Sequence, residues 1–114
     1  MHRSHVYIVP EDEIKSDIVR YIRFVRKYHK VDFILSMDAY QEYKLLYPEF
    51  KKVFMSESRP TEKEACAFFE MVEISSRKAV LNLFTFLMTA RTLRYKLSYK
   101  KTEDNMVILS ITNV

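Results

Sequence analysis

The chain has 114 residues, a formal net charge of +4 and hydrophobic residues at 48 % of its positions, a size that favours one domain with one core. Glycine is absent, which excludes glycine-rich phosphate loops, dinucleotide fingerprints and nucleophile elbows, because each needs positive φ or close backbone approach. No window reaches the roughly 18 consecutive apolar residues that span a bilayer, and residues 1–10 lack the apolar stretch of a secretory signal. We therefore expect a cytoplasmic protein without a membrane partner.

The residues that usually carry catalysis are sparse. Cys66 is the single cysteine, so it cannot form an internal disulfide, and we expect a buried thiol on a helix in a reducing compartment. His2, His5 and His29 are not spaced as a metal site or a catalytic triad, although His2 and His5 together offer an alternative metal clamp at the terminus. We expect no enzyme activity, no cofactor and no resident metal.

The first part of the chain predicts a strand or arm followed by a helix. Residues 1–10 contain a short apolar run ended by Pro10, typical of a short edge strand or an extended arm. Residues 11–30 then show apolar positions at helical spacing, which predicts an amphipathic helix. Its polar face is basic, either as a solvated face or as a polyanion contact. The basic residues of that face are Lys15, Arg20, Arg23, Arg26, Lys27 and Lys30.

Three further helices are predicted in the middle of the chain. One covers residues 36–47 and ends at Pro48, with a short helical piece at 49–54 and a loop at 56–60. Thr61 and Glu64 have the spacing of a reciprocal capping box, which predicts a helix at 62–72. Either Ser75 or Ser76 is placed to cap the next helix, at 77–91. The short connection between the last two helices is typical of a helix-turn-helix.

Beyond Arg91 the apolar period changes from helical to alternating, which predicts a strand. Residues 106–112 are its partner, and residues 101–105 form the turn. The order of elements is that of a winged helix, so the expected fold class is α+β: a mostly helical winged helix-turn-helix with a C-terminal β-hairpin wing. We assign residues 1–114 to a single domain and residues 61–112 to the helix-turn-helix and wing. The alternating strand places Leu93, Tyr95, Leu97 and Tyr99 on one face and Arg94, Lys96, Ser98 and Lys100 on the other.

The charges are segregated along the sequence. No acidic residue lies between Glu73 and Glu103, which makes the C-terminal third cationic and indicates phosphate contact. A chance asymmetry on a solvated hairpin is the alternative. The cations of this interval are Arg77, Lys78, Arg91, Arg94, Lys96, Lys100 and Lys101.

A polar stripe runs along the predicted helix at 77–91. It consists of Lys78, Asn82, Thr85 and Thr89, at intervals of four, three and four residues. A recognition helix needs such a stripe, since Lys can donate to guanine, Asn can pair with adenine, and Thr can contact a base or a phosphate. The competing interpretation is a nearly buried core helix with a single solvent-exposed face. The many apolar residues of the helix make this interpretation as well supported as a recognition helix.

The C-terminal residues 103–112 resemble the end of the wing in MarR-type and Sar-type transcription regulators. Those families close the wing with an acidic residue, one or two arginines, a short apolar strand and a threonine. Glu103 stands where the family usually has Asp, and Asn105 stands where its minor-groove arginine would fall. Four residues match the apolar strand and threonine without gaps, namely Val107, Ile108, Ile111 and Thr112.

The resemblance implies a homodimeric protein that binds double-stranded DNA, with the helix at 77–91 in the major groove and the hairpin along the backbone or minor groove. Because such families dimerise through terminal helices, the helix at 11–30 is the candidate dimerisation helix. The leading hypothesis is a sequence-specific or general DNA-binding transcription regulator. The alternative is a protein-interaction module or inhibitor, of viral or mobile-element type, that docks on an acidic host protein. The expected DNA contacts are Arg77, Lys78, Asn82, Thr85, Thr89, Arg94, Lys96, Lys100 and Lys101.

Overall fold

The computed structural model describes residues 6–91 and 94–114. A short 3-10 turn, Glu11–Glu13, follows the first strand. The helices and strands are, in chain order, β1 (Val6–Pro10), α1 (Ile18–Tyr28), β2 (Lys30–Ser36), α2 (Met37–Phe54), α3 (Glu62–Ser75), α4 (Lys78–Ala90), β3 (Tyr95–Lys101) and β4 (Met106–Asn113).

The four strands form one mixed sheet in the order β1-β2-β4-β3. Strand β1 pairs in parallel with β2, whereas β4 runs antiparallel to both β2 and β3. Register pairs Phe33 of β2 with Leu109 of β4, and Leu97 of β3 with Ile111. Strands β1 and β3 are therefore the two edges of the sheet.

The helices pack on one face of this sheet, which makes the fold two layers deep. Alternate strand residues point to opposite faces, and those buried in the core fall at odd positions, such as Val31 and Leu109. The even-numbered strand residues point to the opposite face of the sheet, where Ile8 is exposed and Ile34 and Ile108 are half-buried. No helix in residues 6–91 and 94–114 covers that face, which we call the uncovered sheet face.

The expected α+β class is confirmed, and the predicted capping box and hairpin are both present. Thr61 Oγ1 accepts from the Glu64 amide while the Glu64 carboxylate accepts from the Thr61 amide, at the start of α3. Residues 6–10 form the edge strand that was one alternative for 1–10, and residues 1–5 lie outside the described residues. The hairpin strand β4 is an interior strand of a larger sheet, because β2 pairs along its other side.

Several predicted boundaries are wrong. The helix expected at 11–30 spans only Ile18–Tyr28, and the predicted break at Pro48 is absent because α2 continues through it. Strand β2 has no counterpart in the sequence prediction. Helix α4 has Arg77 at its N-cap with no side-chain cap hydrogen bond, so neither Ser75 nor Ser76 caps it. The expected burial of Cys66 is also wrong, because the thiol is exposed on α3.

Candidate nucleic-acid interface

Strand β3 presents a row of cations at the edge of the sheet. Arg94, Lys96, Lys100 and Lys101 are all exposed, and we call these four residues the β3 cation row. The ion pairs among the described residues lie elsewhere and involve Lys30 and Arg77. Within the described part of the chain, these exposed cations therefore have no carboxylate within 4.0 Å, which leaves them available to an anionic partner.

Two lysines of the row lie on the uncovered sheet face. Lys96 and Lys100 occupy even positions of β3, opposite Thr112 and Ile108 of β4. In the same cross-strand row as Lys96 lies Lys30 of β2, whose ammonium group is 3.9 Å from Asp32. The structure thus brings three lysines from two strands onto one face, a convergence that the sequence prediction missed because it lacked β2.

Tyrosine contacts hold β3 against the helical layer. The hydroxyl groups of Tyr43 on α2 and Tyr99 on β3 are 2.8 Å apart. Burial raises the pKa of Tyr43 far above its ordinary value and raises the pKa of Tyr95 to about 12. Both side chains therefore stay neutral, and β3 keeps a fixed position relative to α2 while its cations face solvent.

Helix α4 lies at the centre of the helical layer. Its aromatic contacts reach three elements: Phe84 stacks on Tyr43 with ring centroids 5.1 Å apart, and Phe86 lies against Phe33 and Tyr21. These contacts agree with the competing interpretation of residues 77–91, that of a nearly buried core helix. The buried residues of the helix are Val80, Asn82, Leu83, Phe84, Phe86, Leu87 and Ala90.

The polar stripe on α4 does not form a continuous exposed surface. Lys78 is exposed, but Asn82 is only 6 % exposed and its Nδ2 donates to the Ile14 carbonyl at 2.9 Å. Thr85 and Thr89 are half-buried, and each donates to a carbonyl one turn earlier on its own helix, at 2.9 and 3.1 Å. Helical threonines often make this bond. The expectation of one wet stripe is wrong, since only Lys78 projects freely from it.

Arg77 is committed to a structural network. Its Nη2 donates to Glu42 Oε2 at 2.8 Å, its backbone amide donates to Glu42 Oε1, and its Nη1 donates to Glu11 at 3.3 Å. The hydrogen bonds from Arg77 lower the pKa of Glu42 despite some desolvation. Glu11 also accepts from the Ser36 amide, so Arg77 ties the start of α4 to α2 and to the end of β1.

An open cleft of about 780 Å³ lies beside this network. Its walls include Ile14, Ile34 and Met106, with Lys78 and Asn82 of α4 on one side. It lies where the carboxyl ends of the parallel strands β1 and β2 meet the start of α4. Sequence reasoning missed it because it depends on the pairing of β1 with β2, for which the alternation of Val31, Phe33 and Leu35 is the signal.

The described residues hold neither a cluster of metal-ligating side chains nor a membrane-spanning helix. Residues 6–91 and 94–114 contain no group of three His, Cys, Asp or Glu side chains arranged to hold a metal ion; His2 and His5 lie outside these ranges. Within the same ranges, no helix combines the length and apolar character needed to cross a bilayer.

Comparison of the chain with models of known protein families, with curated proteins and with solved structures finds no match.

Proposed function

We propose that the chain binds duplex DNA, mainly through the phosphate backbone, with the β3 cation row as the contact surface. The observation that carries the proposal is that the four cations of the row are exposed, three of them on one edge strand and Arg94 just before it, and that no carboxylate of residues 6–91 and 94–114 pairs with them within 4.0 Å. Hydrated lysines and arginines in such a row neutralise phosphates and release condensed counterions, which is the main source of non-specific DNA affinity. Lys30 lies on the same face as Lys96, but its ion pair with Asp32 offsets its charge, so the β3 cation row remains the contact surface.

In terms of the winged-helix resemblance, the β3–β4 hairpin takes the part of the wing. The buried position of Asn82 and the local hydrogen bonds of Thr85 and Thr89 argue against α4 reading base edges in the major groove. The proposal therefore assigns backbone contacts, which position a protein on DNA without reading its sequence. General DNA binding follows from this assignment, with Lys78 as the one member of the stripe that can add a phosphate contact.

Helix α1 is poorly suited to be the contact surface of a homodimer. The apolar side of α1 is buried in its own core through Tyr21 and Val25. The outward side carries Arg23, Arg26 and Lys27, all exposed. A two-fold contact through that side would place like charges opposite one another, which is unfavourable.

The test is a charge reversal on the row. We expect Arg94→Glu, Lys96→Glu and Lys100→Glu together to weaken binding to a labelled duplex by more than about tenfold at moderate salt, because three phosphate contacts become repulsive. Fluorescence anisotropy measures the affinity.

The matched control is Lys44→Glu, Lys51→Glu and Lys63→Glu, which makes the same change in net charge on α2 and α3. All three control lysines are exposed. We expect the control to retain most of the affinity. Equal losses in both triple variants would show that net charge alone governs binding, and would overturn the assignment of the β3 cation row.

A second candidate function is docking on an acidic protein, and one observation favours it. Tyr99, 43 % exposed, lies on the same side of β3 as Lys101 and has Tyr40 at a ring-centroid distance of 5.9 Å. Aromatic residues beside cations are enriched in the energetic centres of protein interfaces. Tyr40→Ala, which leaves the Tyr43–Tyr99 hydrogen bond in place, separates the two functions: DNA backbone binding keeps most of its affinity, whereas a protein interface centred on the Tyr40–Tyr99 pair loses it.

A further inference from the structure

Helices α2 and α3 form an antiparallel pair with a groove between them. At one end, Arg77, just beyond α3, contacts Glu42 of α2; at the other, Phe68 of α3 lies 5.7 and 5.4 Å from Phe50 and Phe54, measured between ring centroids. The groove has a volume of about 430 Å³. Its lining residues are Glu49, Lys52, Val53, Glu64, Ala67, Phe68 and Met71.

Large apolar side chains stand exposed along this groove. Leu45 is 81 % exposed, one helical turn before Glu49, and Ile74 is 87 % exposed, three residues after Met71. Residues three or four apart lie on the same side of a helix, so Leu45 extends the α2 wall and Ile74 extends the α3 wall. Single exposed apolar residues are ordinary, but a group around an apolar groove marks an interaction site.

The charge of the helical pair is opposite to that of the rest of the chain. Residues 37–75 contain more carboxylates than cations, whereas the chain as a whole carries a formal charge of +4. Glu49, Glu64 and Lys52 lie at the groove itself, so its lining has two carboxylates and one cation, and Glu70 is exposed on α3 next to Met71 in the sequence. Cations from a partner would find carboxylates on both sides of the apolar strip, while a nucleic acid would be repelled.

We propose that the α2–α3 groove binds a cationic amphipathic helix of a partner protein. The apolar side of that helix fills the strip between Leu45 and Ile74, and its lysines or arginines pair with Glu49, Glu64 and Glu70. Helix-in-groove recognition of this kind uses apolar anchors at spacings of three and four residues. A second copy of this chain fits less well, because α1, its most basic helix, has its apolar side buried in its own core.

The probe is a labelled peptide of about 18 residues, long enough to form a helix, with leucines along one face and lysines elsewhere. We expect it to bind the full chain about tenfold more tightly than a peptide of the same composition with the leucines scattered. A peptide with glutamates in place of the lysines should not bind. Fluorescence anisotropy and the induced helical circular dichroism report binding.

The variants separate the groove from the remaining surface. Leu45→Asn with Ile74→Asn, which removes the apolar contacts without adding charge, should lower affinity for the amphipathic peptide about tenfold, and circular dichroism should show an unchanged fold because both side chains are exposed. Val19→Asn, at a residue 59 % exposed on α1, is the control and should have no effect. Neither change should alter duplex DNA binding, so failure here is distinguishable from failure of the proposed function.

Three outcomes would overturn the proposal. Equal binding of the scattered peptide would show that charge alone attracts the probe. Equal affinity of the groove variant and the parent chain would place the peptide elsewhere. Sedimentation showing a dimer that Leu45→Asn dissociates would assign the groove to a second copy of the chain.

Discussion

Tyr95 and Tyr43 place two buried hydroxyl groups in contrasting situations beside β3. The Tyr43 hydroxyl has Tyr99 as a partner, whereas the Tyr95 hydroxyl is shielded from solvent and has no hydrogen-bond partner among the described residues. A buried polar atom without a partner forfeits its hydration without compensation. The Tyr95 hydroxyl thus lowers the free energy of unfolding, and it does so on the strand that holds the β3 cation row.

We expect Tyr95→Phe to raise the free energy of unfolding by about 1 kcal/mol, because it removes the unpaired hydroxyl and keeps the ring. Tyr43→Phe is the control and should lower the free energy of unfolding by a similar amount.

Burial raises the Tyr95 pKa to about 12, so the folded protein holds this proton after the unfolded chain has lost it, and stability falls as the pH rises above about 10. Urea unfolding at pH 7 and in alkali should show a shallower alkaline loss in Tyr95→Phe.

Arg77 gives a residue-scale prediction in acid. We expect Arg77→Met to lower the free energy of unfolding at neutral pH, because it leaves Glu42 and Glu11 without their cation. The Glu42 pKa is lowered by Arg77, so this pair stabilises the fold above the unfolded pKa of Glu42, and its contribution is lost as the pH falls through the lowered folded value.

Urea titrations from pH 7 into acid check this: the difference between the parent and Arg77→Met should shrink as Glu42 becomes protonated. Glu42→Gln provides the double-mutant cycle. A stability difference that stays constant with pH would mean that Arg77 acts through packing and not through its ion pairs.

Among the elements, α2 shows tertiary packing overriding a local signal. Pro48 lacks the amide that would donate to the preceding turn, which is why the sequence predicts a break there. The helix nevertheless spans Met37–Phe54, and Phe50 and Phe54 beyond the proline are buried against Phe68. The ring of Pro48 faces solvent, so only the backbone bears the cost.

We expect Pro48→Ala to raise the free energy of unfolding by about 1–3 kcal/mol, because it restores the missing donor and removes the ring clash. The greater freedom of the unfolded chain offsets part of this gain. Thermal and urea unfolding measure the change, and Glu49→Ala, at an exposed neighbour, should produce little effect. A loss of stability in Pro48→Ala would show that α2 needs a bend at this position.

Elements with local signals are the ones that the sequence predicts well. The Thr61–Glu64 capping box lies within four residues, and the alternation after Arg91 identifies the hairpin. Strand β2 also alternates, but only His29 separates it from α1, and this residue adopts the left-handed conformation at φ 63°. Without a glycine to mark that turn, a helical interpretation continues through the junction into β2.

The candidate site is harder to predict because its exposure is decided by long-range packing. The cations of β3 can be identified from the sequence. The burial of Asn82, in contrast, depends on its contact with Ile14, which follows the 3-10 turn and is far from Asn82 in the sequence. Likewise, the pairing of β2 with β4 joins segments separated by three helices. A stripe of polar residues on a helix therefore predicts a solvent-exposed surface only when the elements that pack against the helix are known.

For the whole molecule, the proposed DNA binding predicts a particular dependence on salt. With the four residues of the β3 cation row in contact with phosphates, the logarithm of the association constant should fall with the logarithm of salt concentration at a slope of about −4, and of about −1 when only Lys101 remains. Anisotropy titrations over a range of NaCl concentrations measure both slopes. An unchanged slope in the triple reversal would place the phosphate contacts on another surface, such as α1.

The open edge of β3 also bears on how the folded protein avoids self-propagating assembly. An unpaired edge strand offers its amides and carbonyls to any other extended segment, which is the first step of fibril growth. Repulsion between the lysines of two such edges opposes that step, and a bound polyanion would cancel the repulsion. If the proposed function holds, the side chains that attract an anionic ligand would also oppose pairing between two β3 edges, and their neutralisation would remove both properties together.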